Sequence, residues 1–149
     1  MLREIDIPPL WLAIFIAIAW ALDRYVPGLA MGWGWTGPVG IALVVLGLAI
    51  MGLALIEFLR NNTTFVPRRV PTAFLQNGIY KYSRNPIYLG DALVLAGLAL
   101  KWDVLVALVL VPLFMVLIAK RYIEGEEAGL RAKFGDEFTD WSQKVRRWL

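Results

Sequence analysis

Four apolar stretches separated by polar connections are the feature that most constrains this fold. They run over about residues 8–21, 36–58, 86–100 and 104–119. Soluble domains have about 45–50% apolar residues, whereas 59% of this chain of 149 residues is hydrophobic. Helices that are apolar on nearly every side belong in a membrane. The sequence therefore predicts an all-α integral membrane protein with about four transmembrane helices.

The third and fourth stretches are separated only by Lys101-Trp102-Asp103. Such a short break predicts a terminal helical hairpin, whose second helix continues into a charged helix. We interpret the chain as one membrane domain, residues 1–149. Residues 1–59 hold two N-terminal spans, and residues 60–149 hold a loop, the hairpin and cytoplasmic C-terminal helices.

Lysine and arginine are distributed unevenly over the two sides that four spans would create. Of the 15 basic residues, one side keeps only Arg24 and Lys101. The other side receives 13 of them: Arg3, Arg60, Arg68, Arg69, Lys81, Arg84, Lys120, Arg121, Arg131, Lys133, Lys144, Arg146 and Arg147. Because cytoplasmic loops carry the excess of basic residues, both termini and the central loop are predicted to be cytoplasmic. In a prokaryote the membrane would be the inner or plasma membrane.

The first stretch has a second interpretation as a cleavable signal peptide, since Gly28-Leu29-Ala30 resembles a cleavage site. The weakly basic start and the membrane-like stretches that follow favour a span. The chain has neither cysteine nor histidine. It therefore lacks the usual ligands of zinc and haem, and we expect no metal site.

Polar residues gather at the start of the third stretch. Asn85-Pro86 is typical of a helix cap followed by the first helical residue. The positive end of that helix would favour an anion such as a carboxylate, and Arg84 offers a guanidinium for the same group. A purely structural interpretation remains open, in which Lys81 and Arg84 anchor to lipid phosphates.

Beyond the fourth stretch, Glu126 and Glu127 lie on a predicted helix. They could bind a ligand, or Glu127 could pair with Arg131 one turn away. Gly135-Asp136 then predicts a stop and a new helix. Its apolar face predicts an amphipathic helix that lies on the cytoplasmic surface or closes over the hairpin, with Phe138, Trp141, Val145 and Trp148 on one side. Glu57 and Asp91 are acids that we expect to reach water near the ends of their spans.

Two motifs in this order resemble integral-membrane methyltransferases. The motifs are Arg84-Asn85-Pro86-x-Tyr88-x-Gly90, then Glu126-Glu127 with a downstream Phe134-Gly135. Together they resemble the isoprenylcysteine carboxyl methyltransferase and phospholipid methyltransferase superfamily over about residues 60–149, in a short bacterial-type form. Asn85 stands where eukaryotic members carry histidine, and asparagine cannot titrate near neutral pH.

The resemblance implies that S-adenosylmethionine is the methyl donor and S-adenosylhomocysteine the product. Arg84 and Asn85 would hold the methionine end, and Gly90 would let the cofactor approach the backbone. Glu126 and Glu127 would bind the ribose hydroxyls or the amino group, an assignment that stays open. The predicted cofactor-binding residues are Arg84, Asn85, Tyr88, Leu89, Gly90, Glu126 and Glu127. The catalytic candidates are Arg84, Glu127 and Arg146.

The implied acceptor is a lipophilic molecule that reaches in from the bilayer. A carboxylate of an isoprenylcysteine-like or other hydrophobic molecule is favoured, because an amine must first lose a proton and the chain has no histidine. The alternative is a phospholipid amine. Arg146 and Arg147 would pair with the acceptor's carboxylate or with anionic headgroups. Expected partners are this acceptor and membrane lipids, without nucleic acid.

An alternative from a different functional class is a non-catalytic helical membrane subunit. Such a subunit would use Gly40, Gly47 and Gly52 for helix packing.

Overall fold

The structure is a computed structural model that describes residues 5–62 and 75–149. Within these ranges the regular structure is entirely helical. The elements in chain order are α1 (Pro8–Tyr25), α2 (Thr36–Arg60), a 310 helix (Gly78–Lys81), α3 (Pro86–Lys101), a 310 helix (Leu105–Val109), α4 (Leu110–Ile118), a π-helical segment (Ala119–Ile123), α5 (Glu124–Phe134) and α6 (Asp136–Lys144). The basic residues Arg3, Arg68 and Arg69 lie outside the described residues.

The helices begin where the sequence places them. α1 and α3 each begin on a proline, which has no backbone N–H to leave unsatisfied in a first turn. From Leu105 the helix runs to Phe134 through its 310 and π segments. The predicted continuation of the fourth apolar stretch into a charged helix is therefore confirmed.

Two helical stretches are long and apolar enough to cross a membrane, namely Thr36–Arg60 and Leu105–Phe134. In the most apolar part of these two stretches, only 17% and 28% of the residues, respectively, are buried inside the bundle. α1 and α3 are shorter, with 18 and 16 residues. It stays a prediction that α1 and α3 also cross the membrane. It likewise stays a prediction that the third and fourth apolar stretches form a transmembrane hairpin.

Paired glycines bring α2 and α3 into close contact. A Cβ atom on Gly40 would lie 2.5 Å from the carbonyl oxygen of Gly97, and one on Gly47 would lie 2.6 Å from that of Gly90. The pairing runs in opposite directions along the two helices, so α2 and α3 are antiparallel. Small residues allow such close backbone approach in the absence of a hydrophobic driving force. A Cβ atom on Gly52 would meet nothing within 4 Å in the described part of the chain, so two of the three predicted packing glycines serve this purpose there.

Four segments meet at one end of the bundle, which we call the polar end. They are the residues just before α1, the last turns of α2, the start of α3 and residues 119–127. Asp6 contacts Tyr122 there, with 2.5 Å between the carboxylate and the hydroxyl. At the opposite end, the backbone N–H of Gly32 donates to the Asp103 carboxylate at 2.6 Å.

α6 closes over the polar end. Phe138 and Trp141 are buried in a cluster with Phe58 and Tyr80, and Trp141 Nε1 donates to the carbonyl of Tyr80 at 3.3 Å. The apolar face does not continue to Trp148 as predicted. The helix ends at Lys144 because the next residue is extended, and Trp148 packs against a different cluster.

The glycine contact predicts a difference between two substitutions in the same helix. Gly47→Ala should lower the thermal unfolding midpoint in detergent, because the added methyl group meets the backbone of α3 and overpacking costs about 1–3 kcal/mol. Gly52→Ala should keep the midpoint at or slightly above that of the parent, because its methyl group enters open space. Equal midpoints for the two variants would contradict the packing described.

Candidate functional site

The structure brings the two sequence motifs into contact at the polar end. Tyr88, in the first turn of α3, donates its hydroxyl hydrogen to Glu126 Oε1 at 2.8 Å. Arg84, just before α3, lies 3.2 Å from Glu127 Oε1 through its Nη1 atom. Residues 38 positions apart in the chain therefore share one polar cluster.

Glu127 is the centre of an ion triad formed by Arg84, Glu127 and Arg147. Arg147 donates from Nε and Nη2 to the two carboxylate oxygens of Glu127, both at 2.9 Å. The side chain of Glu127 is only 11% exposed, and a carboxylate this buried is costly unless it is paired. The structure shows these two partners for Glu127, in place of the helical pairing with Arg131 that was considered.

The triad has one more positive charge than negative charge. Burial lowers the pKa of Arg84, and the adjacent Glu127 carboxylate opposes that shift. The hydrogen bonds to Glu127 raise the pKa of Arg147. Arg84 Nε is buried and has no hydrogen-bond partner within residues 5–62 and 75–149. A buried guanidinium with spare donor capacity is suited to an anionic group.

The start of α3 is capped in a different way from the prediction. Asn85 does occupy the cap position before Pro86, but its side chain makes no capping hydrogen bond. Instead, its Nδ2 atom donates to the carbonyl of Arg147 at 3.0 Å, and its backbone N–H donates to Ser83 Oγ at 3.1 Å. The backbone N–H of Arg84 donates to the carbonyl of Arg146 at 3.0 Å. The segment after α6 thus crosses the start of α3.

Gly90 lies at the contact between α3 and α2. A Cβ atom there would meet the side chain of Met51 and would lie 2.7 Å from the carbonyl oxygen of Gly47. The side of Gly90 that lacks a side chain is therefore filled by α2, and the approach of a cofactor to its backbone stays a prediction. Leu89 is partly buried and makes the ordinary first-turn hydrogen bond to Asn85 at 2.9 Å, and its place in a site stays a prediction.

Three further acidic and phenolic groups lie in or near the polar end. Tyr80 is 8% exposed, and burial raises its pKa, with smaller contributions from Glu126 and then Glu57. Glu57 packs against Gly78, whose φ of +61° favours glycine. Glu57 and Asp91 are both buried rather than open to water as expected. Tyr80 was missed because its sequence context shows only a loop aromatic residue. The side chain of Arg146 is exposed.

Comparison with known proteins gives a family and one relative. A family model described as Phospholipid methyltransferase matches residues 35–137. An uncharacterized protein of Haemophilus influenzae is 49% identical over 37 residues, which cover 25% of this chain and 59% of that protein. The chain thus matches less than two thirds of this relative's length. The family match includes both motifs and excludes α1 and Arg147.

The triad predicts unequal effects for two glutamates of α5. Glu127→Gln should lower the unfolding free energy by on the order of 3 kcal/mol, because two guanidinium groups lose their buried counter-charge. Glu124→Gln is the matched control, since its pair with Lys120 is exposed and such pairs contribute about 0–1 kcal/mol. Unfolding in mixed micelles measures both. A smaller loss for Glu127→Gln than for Glu124→Gln would contradict the triad.

Proposed function

Because the chain belongs to the phospholipid methyltransferase family, we propose that it transfers a methyl group from S-adenosylmethionine to a lipophilic acceptor at the polar end. The observation that carries this proposal is the ion triad, in which Arg84 of the first motif and Glu127 of the second share one buried contact. A structural subunit could use the triad to hold its segments together, but it would not need the spare buried donor on Arg84. The family supports methyl transfer in general, and the triad supports the choice of donor.

The methionine end of S-adenosylmethionine is a zwitterion, and the triad is complementary to it. Its carboxylate would pair with the guanidinium of Arg84 or Arg147, and its ammonium group would pair with Glu127. Each new ion pair replaces one that exists in the structure, so no charge is left buried without a partner. The spare buried donor on Arg84 would take the second carboxylate oxygen.

The contact between Tyr88 and Glu126 supports a separate role for each glutamate. Tyr88 donates to one oxygen of Glu126, and an ionised carboxylate can accept several hydrogen bonds at once. Glu126 would therefore bind the ribose hydroxyls of the cofactor, while Glu127 binds its amino group. The side-chain amide of Asn85 donates to the carbonyl of Arg147. Asn85 would therefore act by positioning the segment after α6, and it would not transfer a proton.

The reaction requires orientation more than acid–base chemistry. A nucleophilic oxygen or nitrogen of the acceptor forms a bond to the methyl carbon while the carbon–sulfur bond breaks, and the electron pair neutralises the sulfonium. The chain would hold the donor by its two ends and exclude water beneath α6. Arg84 and Glu127, which would contact the donor, and Arg146 remain the candidates for catalytic residues.

Two acceptor classes follow from different observations. A hydrophobic carboxylate, such as that of an isoprenylcysteine-like molecule, needs no base and suits an end rich in arginine. A phospholipid amine is favoured by the description of the family itself, and Glu126 is then a carboxylate at the polar end that could accept its proton. The products differ, because a methyl ester is cleaved by mild base and a methylated amine is not. Lipids extracted after reaction with methyl-labelled donor would be treated with mild base. Loss of the label would indicate a methyl ester, and retention of the label would indicate a methylated amine.

The proposed placement in the membrane uses the charge asymmetry. α1 and α3 would join the two stretches that are long enough to cross, giving four spans with both termini and the polar end in the cytoplasm. The 13 basic residues on that side support this orientation. S-adenosylmethionine would enter from the cytoplasm, and the acceptor would enter from the bilayer.

Isothermal titration of the detergent-purified protein with S-adenosylmethionine tests the donor assignment. We expect the parent to bind, and we expect Arg84→Ala and Glu127→Ala to lose at least about tenfold in affinity, because each removes a charge-assisted contact. Lys81→Ala is the control, since this exposed lysine lies three residues from Arg84. Absence of binding by the parent, or equal losses in Arg84→Ala and Lys81→Ala, would refute the assignment.

A further inference from the structure

The residues before α1 are tied to the π-helical segment by one carboxylate. Arg121 Nε lies 2.9 and 2.8 Å from the two oxygens of Asp6, and Arg121 Nη2 also contacts this carboxylate. Tyr122 donates its hydroxyl hydrogen to Asp6 Oδ1 at 2.5 Å. Trp11 Nε1 donates to the same oxygen at 2.8 Å. Two consecutive residues of the π segment are thus held by a residue that is more than 110 positions away.

The π segment determines which way the residues after it point. One extra residue in a helical turn rotates everything downstream by about 100° relative to a continuous α-helix. Glu126 and Glu127 lie in the first turn of α5, which begins at Glu124 directly after the π segment. With that rotation, Glu126 contacts Tyr88 and Glu127 contacts Arg84. Without it, different residues of α5 would face α3.

Tyr122 links the Asp6 contact to the proposed cofactor site. Its side chain is completely buried and belongs to the same apolar cluster as Tyr88, whose hydroxyl holds Glu126. Trp11 packs against this cluster as well. A shift of the Tyr122 ring would therefore be transmitted to both Tyr88 and the first turn of α5, because close-packed interiors transmit displacement.

We propose that Asp6 is a positioning residue of the methyl-transfer site, which fixes the π segment and thereby sets Glu126 against Tyr88 for cofactor binding. The inference rests on the proposed function. Neither Asp6 nor α1 lies within residues 35–137, which the family model matches. This chain therefore supplies a part of its site from outside the matched region.

A double-mutant cycle on cofactor affinity distinguishes positioning from simple support. Asp6→Asn, Glu126→Gln and the combined variant are titrated with S-adenosylmethionine. We expect Asp6→Asn to weaken binding about fivefold in the parent and less than about twofold when Glu126 is already replaced, because coupled residues have non-additive effects. Equal factors in the two backgrounds, or no effect in the parent, would overturn the proposal. Tyr122→Phe removes one contact of Asp6 and keeps the aromatic ring. If Asp6→Asn does not fold, Tyr122→Phe takes its place in the cycle.

Two controls separate positioning from loss of stability. Asp6→Glu keeps the carboxylate and should restore most of the affinity. Leu22→Ala loosens α1 at the end far from the site, where this side chain packs against Ala19 and Val104. It should lower the thermal unfolding midpoint and leave cofactor affinity unchanged. A loss of affinity in Leu22→Ala as large as that in Asp6→Asn would mean that α1 acts only through stability, and would overturn the proposal.

Hydrogen exchange in the absence of cofactor tests the positioning step by itself. Backbone amides of residues 119–127 should exchange at least about threefold faster in Asp6→Asn than in the parent or in Leu22→Ala, since local opening reflects local stability. Unchanged exchange would overturn the proposal even if the parent binds the cofactor. If the amides exchange faster in Asp6→Asn but the parent binds no S-adenosylmethionine, the proposed function is refuted and the mechanical role of Asp6 is still supported.

Discussion

The carboxylate of Glu127 is the constraint on which the polar end depends. It receives Arg147 through two parallel hydrogen bonds and Arg84 through a third contact. A single acid thereby joins the start of α3, the first turn of α5 and the segment beyond α6. Because a buried charge is costly without partners, these three segments stay together as a unit. The excess positive charge of the triad is the reason for proposing a ligand that carries a negative group.

Two mechanical features hold the triad in place. On one side, the glycine pairs set the distance between α2 and α3. The start of α3, with Arg84 just before it and Tyr88 in its first turn, is thereby positioned against α2. On the other side, Asp6 holds the π segment that orients Glu126 and Glu127. In this account, the proposed chemistry at the polar end depends on backbone contacts within the apolar bundle and on a residue before the first helix.

The apolar stretches and prolines predicted the helices well, because periodic burial and a missing N–H act locally. The meeting of the two motifs was predicted only from the order of residues that resemble a known family. The packing role of Gly90 was not predicted, because a glycine for cofactor approach and a glycine for helix packing look the same in sequence. The π segment has no signature of its own, so the contact of Asp6 with Tyr122 could not be anticipated. Likewise, the side chain of Asn85 suits a helix cap, and only the position of the C-terminal segment redirects it to Arg147.

The central claim is that the triad recognises the zwitterionic end of the methyl donor by exchange of ion pairs. Comparison of S-adenosylhomocysteine with its decarboxylated analogue on the unmodified protein tests this claim most directly, because the two ligands differ only in the carboxylate. Calorimetry should show a loss of at least about tenfold in affinity for the decarboxylated ligand, as expected for a lost charge-assisted contact. Equal affinities for the two ligands would show that Arg84 and Arg147 do not bind the methionine carboxylate.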